Sequence, residues 1–229
     1  MAIYKLDKMV VSVKGNAEKF LQGLTSNTLD APRNAFVNLH GRIIATFDQI
    51  AAGPDEFLLV IAPSAWEPLK AHTERYAKLS KTIIAPTTLN VYFDLTGDHL
   101  LSDGEYAVPQ SAGRIIVTAR VLPSDVSAEA FTLFRLQNNI PLHGIDYQDD
   151  FILNVHEHDF VSYAKGCFLG QEPVAKVHNR SKPTWQLAVR FEDALTEEEQ
   201  GKMTSKISDP KGGRTLGFVF VKNTSAMVQ

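Results

Sequence analysis

The alternation of apolar and polar residues along the chain predicts short strands separated by a few helices. Residues 3–13 are mostly apolar with imperfect alternation, which predicts an opening strand that ends at Gly15. The next apolar residues recur at helical spacing, with Asn16 as the predicted N-cap. Two strands around a turn at Gly41 follow, and further strands are predicted at 57–61, 82–85, 89–94, 114–119, 185–191 and 215–221. Composition and periodicity alone therefore predict an α+β protein.

Start signals place three more helical segments. Ser64 and Glu67 have the spacing of a capping box before an apolar stripe that runs to about residue 78. Ser124 precedes a second such stripe, and Thr196 with Glu199 forms a possible capping box in an acidic stretch that is a loop or a short helix.

The composition narrows the class of protein. The chain has 229 residues, of which 44% are hydrophobic and 21% charged, and its formal net charge is -3. These values are typical of a globular protein, and without a long basic run they do not predict a nucleic-acid surface. Charges interrupt the first apolar residues, and no run reaches the roughly 18 apolar residues of a membrane span. We therefore expect a cytoplasmic protein with no membrane partner.

One stretch, residues 165–172, concentrates candidate chemistry. It reads KGCFLGQE and contains Cys167, the single cysteine of the chain. Positive charge stabilises a thiolate, so Lys165 can raise the reactivity of the Cys167 thiol. The competing interpretation is a buried thiol that acts as a small hydrophobic residue. A single cysteine makes no internal disulfide, and it is too few for an iron–sulfur cluster, which takes about four thiolates. Any role in cluster chemistry must therefore be indirect, or must recruit ligands from a partner.

The KGCFLGQE stretch resembles the signature of the YgfZ family. These are folate-binding proteins, related to the glycine cleavage T-protein (an aminomethyltransferase), that are linked to assembly or repair of iron–sulfur clusters. Segments 20–27, 36–42 and 135–146 resemble the same group. The resemblance implies an α+β fold of three small domains in a ring around a central folate channel, with a short C-terminal β-barrel. The implied domains are 1–41 with 112–183, 42–111 in the middle, and 184–229 at the C-terminus.

The resemblance also implies a site. Its ligand would be tetrahydrofolate or a derivative, and its protein partners would be iron–sulfur clients or assembly proteins. Catalysis would fall to Cys167 with Lys165, and no metal ligands are predicted. The implied folate-binding residues are Gly166, Gln171 and Glu172 of the motif, with Gln137, Asn38 and Arg42 elsewhere.

The sequence departs from the T-protein pattern at the position assigned to proton transfer. T-proteins carry an Asp-Asp pair where this chain has Ala45-Thr46, and neither side chain is an acid or base near neutral pH. Asp48 lies two residues on and shares a strand face with Thr46, so it is a possible substitute. The leading hypothesis is a tetrahydrofolate-binding accessory protein for iron–sulfur enzymes. The alternatives are a folate-dependent C1 transferase and a non-catalytic scaffold in which Cys167 is inert.

Overall fold

The computed structural model describes residues 2–209 and 212–223, which form a mixed α+β fold. The strands are β1 (Ile3–Lys5), β2 (Met9–Lys14), β3 (Arg33–Val37), β4 (Ile43–Gly53), β5 (Glu56–Ile61), β6 (Ile83–Pro86), β7 (Asn90–Asp94), β8 (Tyr106–Pro109), β9 (Arg114–Thr118), β10 (Trp185–Phe191), β11 (Thr204–Ser208) and β12 (Thr215–Lys222). The α-helices are α1 (Ala17–Leu24), α2 (Trp66–Ser80), α3 (Ala128–Gln137), α4 (Glu157–Phe160), α5 (Gln171–Arg180) and α6 (Glu197–Gly201). None of the helices in the described ranges is long and apolar enough to cross a membrane.

The strands form three antiparallel sheets. Their orders are β3-β4-β5-β2-β6, β1-β7-β9-β8 and β10-β12-β11. All three sheets are open. The closed C-terminal barrel is therefore not confirmed in the described residues, where β12 lies between β10 and β11 in an open sheet of three strands. The ring of three domains and the domain boundaries stay predictions.

Strand β2 of the five-stranded sheet is buried on both faces, which explains the imperfect alternation of the opening apolar stretch. In β2, Val11 and Val13 pack with Phe20 of α1 in one core cluster. Val10 of the same strand packs in another cluster with Val91 of β7. A strand that is covered on both faces has no polar face, so its sequence is almost continuously apolar.

Helix α1 is capped by a residue that is distant in sequence. The Asp55 carboxylate accepts hydrogen bonds from the backbone N–H groups of Asn16 at 2.9 Å and Ala17 at 2.8 Å. Asn16 itself has a left-handed backbone, and its side chain donates to the Ser80 carbonyl instead. Asn16 therefore occupies the predicted N-cap position, but its side chain does not cap α1, because the turn between β4 and β5 brings the Asp55 carboxylate to the start of the helix.

Of the other three predicted helix starts, two are wrong and one is confirmed. The capping box at Ser64 is wrong, since a 3-10 turn precedes α2 and no side chain caps its start. Helix α3 is capped by Ser127 rather than Ser124, whose hydroxyl accepts a hydrogen bond from a backbone N–H in β1. The capping box of Thr196 and Glu199 is confirmed at the start of α6.

Candidate functional site

The KGCFLGQE motif forms a loop that closes the C-terminal end of α1. The last carbonyls of a helix have no partner within the helix and need donors from outside. The Lys165 ammonium donates to the Gln22 carbonyl at 3.1 Å, and the backbone N–H of Leu169 donates to the Gly23 carbonyl at 3.1 Å. The motif therefore supplies the donors for this helix end, and α1 fixes the position of the motif.

Lys165 is held by more than the helix. Its ammonium also donates to the carbonyls of Thr25 at 2.5 Å and Asn27 at 3.0 Å, in the turn that follows α1. Burial lowers the pKa of Lys165 to about 8, while the negative end of the helix dipole favours the charged form. These contacts give Lys165 a structural role in fastening the motif. Its effect on the reactivity of the thiol stays a prediction.

The two glycines of the motif have different environments. Gly170 precedes α5 with φ of +85°, and a Cβ there would lie 2.3 Å from the Asn38 carbonyl oxygen. Only glycine fits this combination of backbone and close approach. Gly166 is exposed, and a Cβ added to it would meet no atom within 4 Å. Gly170 therefore anchors the motif on the turn between β3 and β4, whereas the Gly166 position tolerates a side chain.

Cys167 is exposed between these two anchors. It lies at an open groove of about 870 Å³ between α1 and α2, which we name the Cys167 groove. Its side-chain walls are mostly apolar: Phe20 and Leu24 come from α1, Tyr76 and Leu79 from α2, and Phe168 and Leu169 from the motif, with Lys19 and Lys81 beside them. The interpretation of Cys167 as a buried hydrophobe is therefore wrong, and the thiol is available to a reagent or partner.

The structure does not gather the predicted folate-binding residues around the Cys167 groove. Gln171 and Glu172 form the first turn of α5, where Glu172 is exposed. Gln137 is exposed at the end of α3. Arg42 is exposed and lines a different cleft, of about 580 Å³, which also contains Trp185. Their predicted roles in folate binding stay proposals.

Asn38 has a structural role in the turn between β3 and β4. Its side-chain oxygen accepts hydrogen bonds from the backbone N–H groups of His40 at 2.8 Å and Arg42 at 3.1 Å. Asparagine commonly closes turns in this way. The same turn provides the carbonyl against which Gly170 packs, so Asn38 and the motif are parts of one local structure.

A polar cluster in the interior was not predicted from the sequence. It surrounds a cavity of about 40 Å³, which we name the internal polar cavity. Asp48 accepts a hydrogen bond from the Gln110 amide at 2.8 Å, and the Arg33 Nε lies 3.7 Å from the same carboxylate oxygen. Loss of hydration on burial lowers the pKa of Lys8, against the attraction of Asp48. The polar lining comprises Lys8, Arg33, Thr46, Asp48, Gln110, Tyr147 and His156.

Burial also shifts the pKa values of Tyr147 and His143, which lie beside the internal polar cavity. The Tyr147 hydroxyl forms a hydrogen bond of 2.7 Å with the Thr46 hydroxyl, and burial raises the pKa of Tyr147 well above its usual value. The His143 ring stacks on Tyr147 at 5.3 Å, and burial lowers the pKa of His143 to about 4. Both side chains are therefore neutral near neutral pH. The partner of the Thr46 hydroxyl is thus another hydroxyl group and not a carboxylate.

Comparisons with known proteins agree with the predicted resemblance. No family model matches the sequence. The chain is 26% identical, over 77% of its length, to the mitochondrial iron–sulfur cluster assembly factor IBA57 homolog of Dictyostelium discoideum. It spans 61% of the length of that relative. In structure it matches the glycine cleavage system aminomethyltransferase T from Bartonella henselae with a TM-score of 0.73, covering 96% of this chain and 78% of the other at 14% identity. The predicted resemblance is thus confirmed: the chain is similar in sequence to an iron–sulfur cluster assembly factor, and its α+β fold is similar to that of the glycine cleavage T-protein.

Proposed function

We propose that the protein is an accessory factor for the assembly or repair of iron–sulfur enzymes, and that the thiol of Cys167 is its reactive group. The observation that carries the proposal is the exposed thiol at a large groove, on a loop fastened by Lys165 and Gly170. The similarity in sequence to the Dictyostelium iron–sulfur cluster assembly factor homolog supports the same role. One cysteine provides one thiolate, so an iron–sulfur cluster at Cys167 would take its other ligands from a client or assembly protein.

We further propose tetrahydrofolate, or a derivative, as a ligand. Two observations support this part: the T-protein fold, and the internal polar cavity, which Thr46 and Asp48 line. A carboxylate and an amide suit the N–H groups and acceptors of a pterin ring. At about 40 Å³ the cavity holds a few water molecules at most. Folate binding there therefore requires the surrounding side chains to move apart.

A second candidate function is C1 transfer from an aminomethyl donor to tetrahydrofolate. Asp48 favours it, because its carboxylate lines the same cavity as Thr46 and can stand in for the missing T-protein aspartate. The exposed Cys167 has no part in such a reaction. Turnover of an aminomethyl donor that is lost in Asp48→Asn but kept in Cys167→Ala would favour this candidate over the first.

Complementation tests the role of Cys167. In a strain whose own copy is deleted, the wild-type chain should restore iron–sulfur enzyme activity, and Cys167→Ala should not. Leu100→Ala, at a side chain that is 88% exposed and outside the groove lining, is the matched control and should restore it fully. Full rescue by Cys167→Ala at equal protein level would reject the thiol role and leave the scaffold hypothesis.

Calorimetric titration with 5-formyltetrahydrofolate tests the ligand independently. We expect micromolar binding that Asp48→Asn weakens by at least about tenfold, which is about 1.4 kcal/mol. Glu172→Gln tests the predicted site on α5 in the same way. If only Glu172→Gln weakens binding, then folate binds at the motif and not in the internal polar cavity. An absence of binding at millimolar concentration would remove folate from the proposal without affecting the role of Cys167.

A further inference from the structure

We propose that the Cys167 groove is the docking site for an amphipathic helix of a partner protein, with an apolar face flanked by acidic residues. The inference rests on the proposed function, because it describes how a client or assembly protein reaches the thiol. Its evidence is separate and comes from the shape, polarity and charge of the groove.

The shape and polarity of the groove fit a helix. Its two long walls are helices, with Phe20 and Leu24 on α1 and Tyr76 and Leu79 on α2. Leu79 is 74% exposed, and Cys167 is exposed as well, so a macromolecule can reach the groove at both residues. Helices recognised in such grooves insert apolar side chains at positions i, i+3, i+4 and i+7. Burying Leu79 would remove exposed apolar surface from water.

The charge of the groove selects an acidic partner. Its described lining includes the lysines Lys19 and Lys81 and no Asp or Glu. No carboxylate of the described residues lies within ion-pair distance of either ammonium. The chain as a whole has a formal net charge of -3, so this positive rim is a local feature of the groove. Opposite charges on the two sides of an interface speed encounter and reject wrong partners.

The apolar surface continues beyond the groove. Lys81 also borders a second cleft, of about 460 Å³, which lies between α2 and β6 and includes Trp66 and Ile83. Ile83 is 67% exposed on β6, the edge strand of the five-stranded sheet. A docked protein can therefore extend from the thiol across α2 to this edge. Continuity of this kind is typical of a protein-binding surface rather than of a site for a small molecule.

A designed peptide tests the inference directly. The probe is a helical peptide of about 18 residues with leucines at i, i+3, i+4 and i+7 and flanking glutamates; the matched peptide replaces every glutamate by lysine. Fluorescence anisotropy should show that the acidic peptide binds at least about tenfold more tightly than the basic one. Its binding should also slow alkylation of Cys167 by iodoacetamide, because a docked helix covers the thiol.

Variants locate the binding. Leu79→Glu should weaken the acidic peptide by at least about tenfold, whereas Leu100→Glu, at a side chain outside the groove lining, should leave it unchanged. The double variant Lys19→Glu with Lys81→Glu should reverse the preference between the two peptides. Equal affinity for both peptides, or binding that ignores Leu79→Glu, would overturn the inference.

The outcomes also separate this inference from other occupants and from the proposed function. Self-association in sedimentation velocity that Leu79→Glu abolishes would assign the groove to a second copy of the chain and overturn the partner helix. If the acidic peptide does not bind but Cys167→Ala still fails to restore function, only the docking inference is rejected. Full rescue by Cys167→Ala would reject the proposed role of the thiol, whatever the result with the peptide.

Discussion

Gly170→Ala is the sharpest test of how the motif is held. An alanine at Gly170 must adopt a φ of +85°, and its Cβ would lie 2.3 Å from the Asn38 carbonyl oxygen and 2.9 Å from the Val37 side chain. The left-handed backbone costs an alanine about 1–2 kcal/mol, and relief of the clash by a backbone shift costs about 1–3 kcal/mol. The lower entropy of the unfolded alanine chain offsets at most about 1 kcal/mol. We therefore expect a net loss of about 1–5 kcal/mol in the free energy of unfolding.

Gly166→Ala is the matched control within the same motif. Its Cβ meets no atom within 4 Å, and the residue is exposed, so the free energy of unfolding should change by less than about 0.5 kcal/mol. Urea denaturation, followed by circular dichroism and by fluorescence, measures both variants and checks that the transitions coincide. Equal stability of Gly170→Ala and Gly166→Ala would refute the account of Gly170 as the anchor of the motif.

Three further predictions concern stability. Burial lowers the pKa of Lys165 to about 8, so between pH 8 and the unfolded value of 10.5 the folded state binds fewer protons than the unfolded state. The free energy of unfolding of the wild type, relative to that of Lys165→Met, should therefore rise between pH 8 and pH 10 in urea denaturation. Parallel pH profiles of the two proteins would contradict this prediction. Cys167→Ala should change thermal stability by less than about 0.5 kcal/mol, because the thiol is exposed, and a larger loss in calorimetry would mean that the thiol packs in the core. Asp55→Ala should cost about 1 kcal/mol, as the loss of a helix cap does, and an unchanged free energy of unfolding in urea titrations would show that Asp55 does not cap α1.

Local sequence patterns predict much of the secondary structure. Features that depend on contacts between residues distant in the sequence could not be predicted. The spacing of Phe20, Leu21 and Leu24 predicts α1 correctly, because one helix face is set within a few residues. The cap of α1 was missed, because Asp55 reaches it only through the turn between β4 and β5. A sequence pattern holds no information about such a contact.

The candidate site divides in the same way. The motif around Cys167 could be recognised from the sequence, because its residues are contiguous. The internal polar cavity could not, since Lys8, Arg33, Asp48 and Gln110 are separated along the chain and meet only in the fold. Asp48 was the exception, because its spacing from Thr46 on one strand placed it on the correct face.

The proposed function depends on an accessible Cys167 thiol, and the rate of its alkylation measures that accessibility. Mass spectrometry should follow iodoacetamide labelling of the native protein and of the protein in urea at neutral pH. With an exposed thiol, the account predicts a native rate within roughly tenfold of the unfolded rate. Protection by more than roughly a hundredfold would show that Cys167 is closed off in the folded protein, and it would contradict a working thiol in this groove.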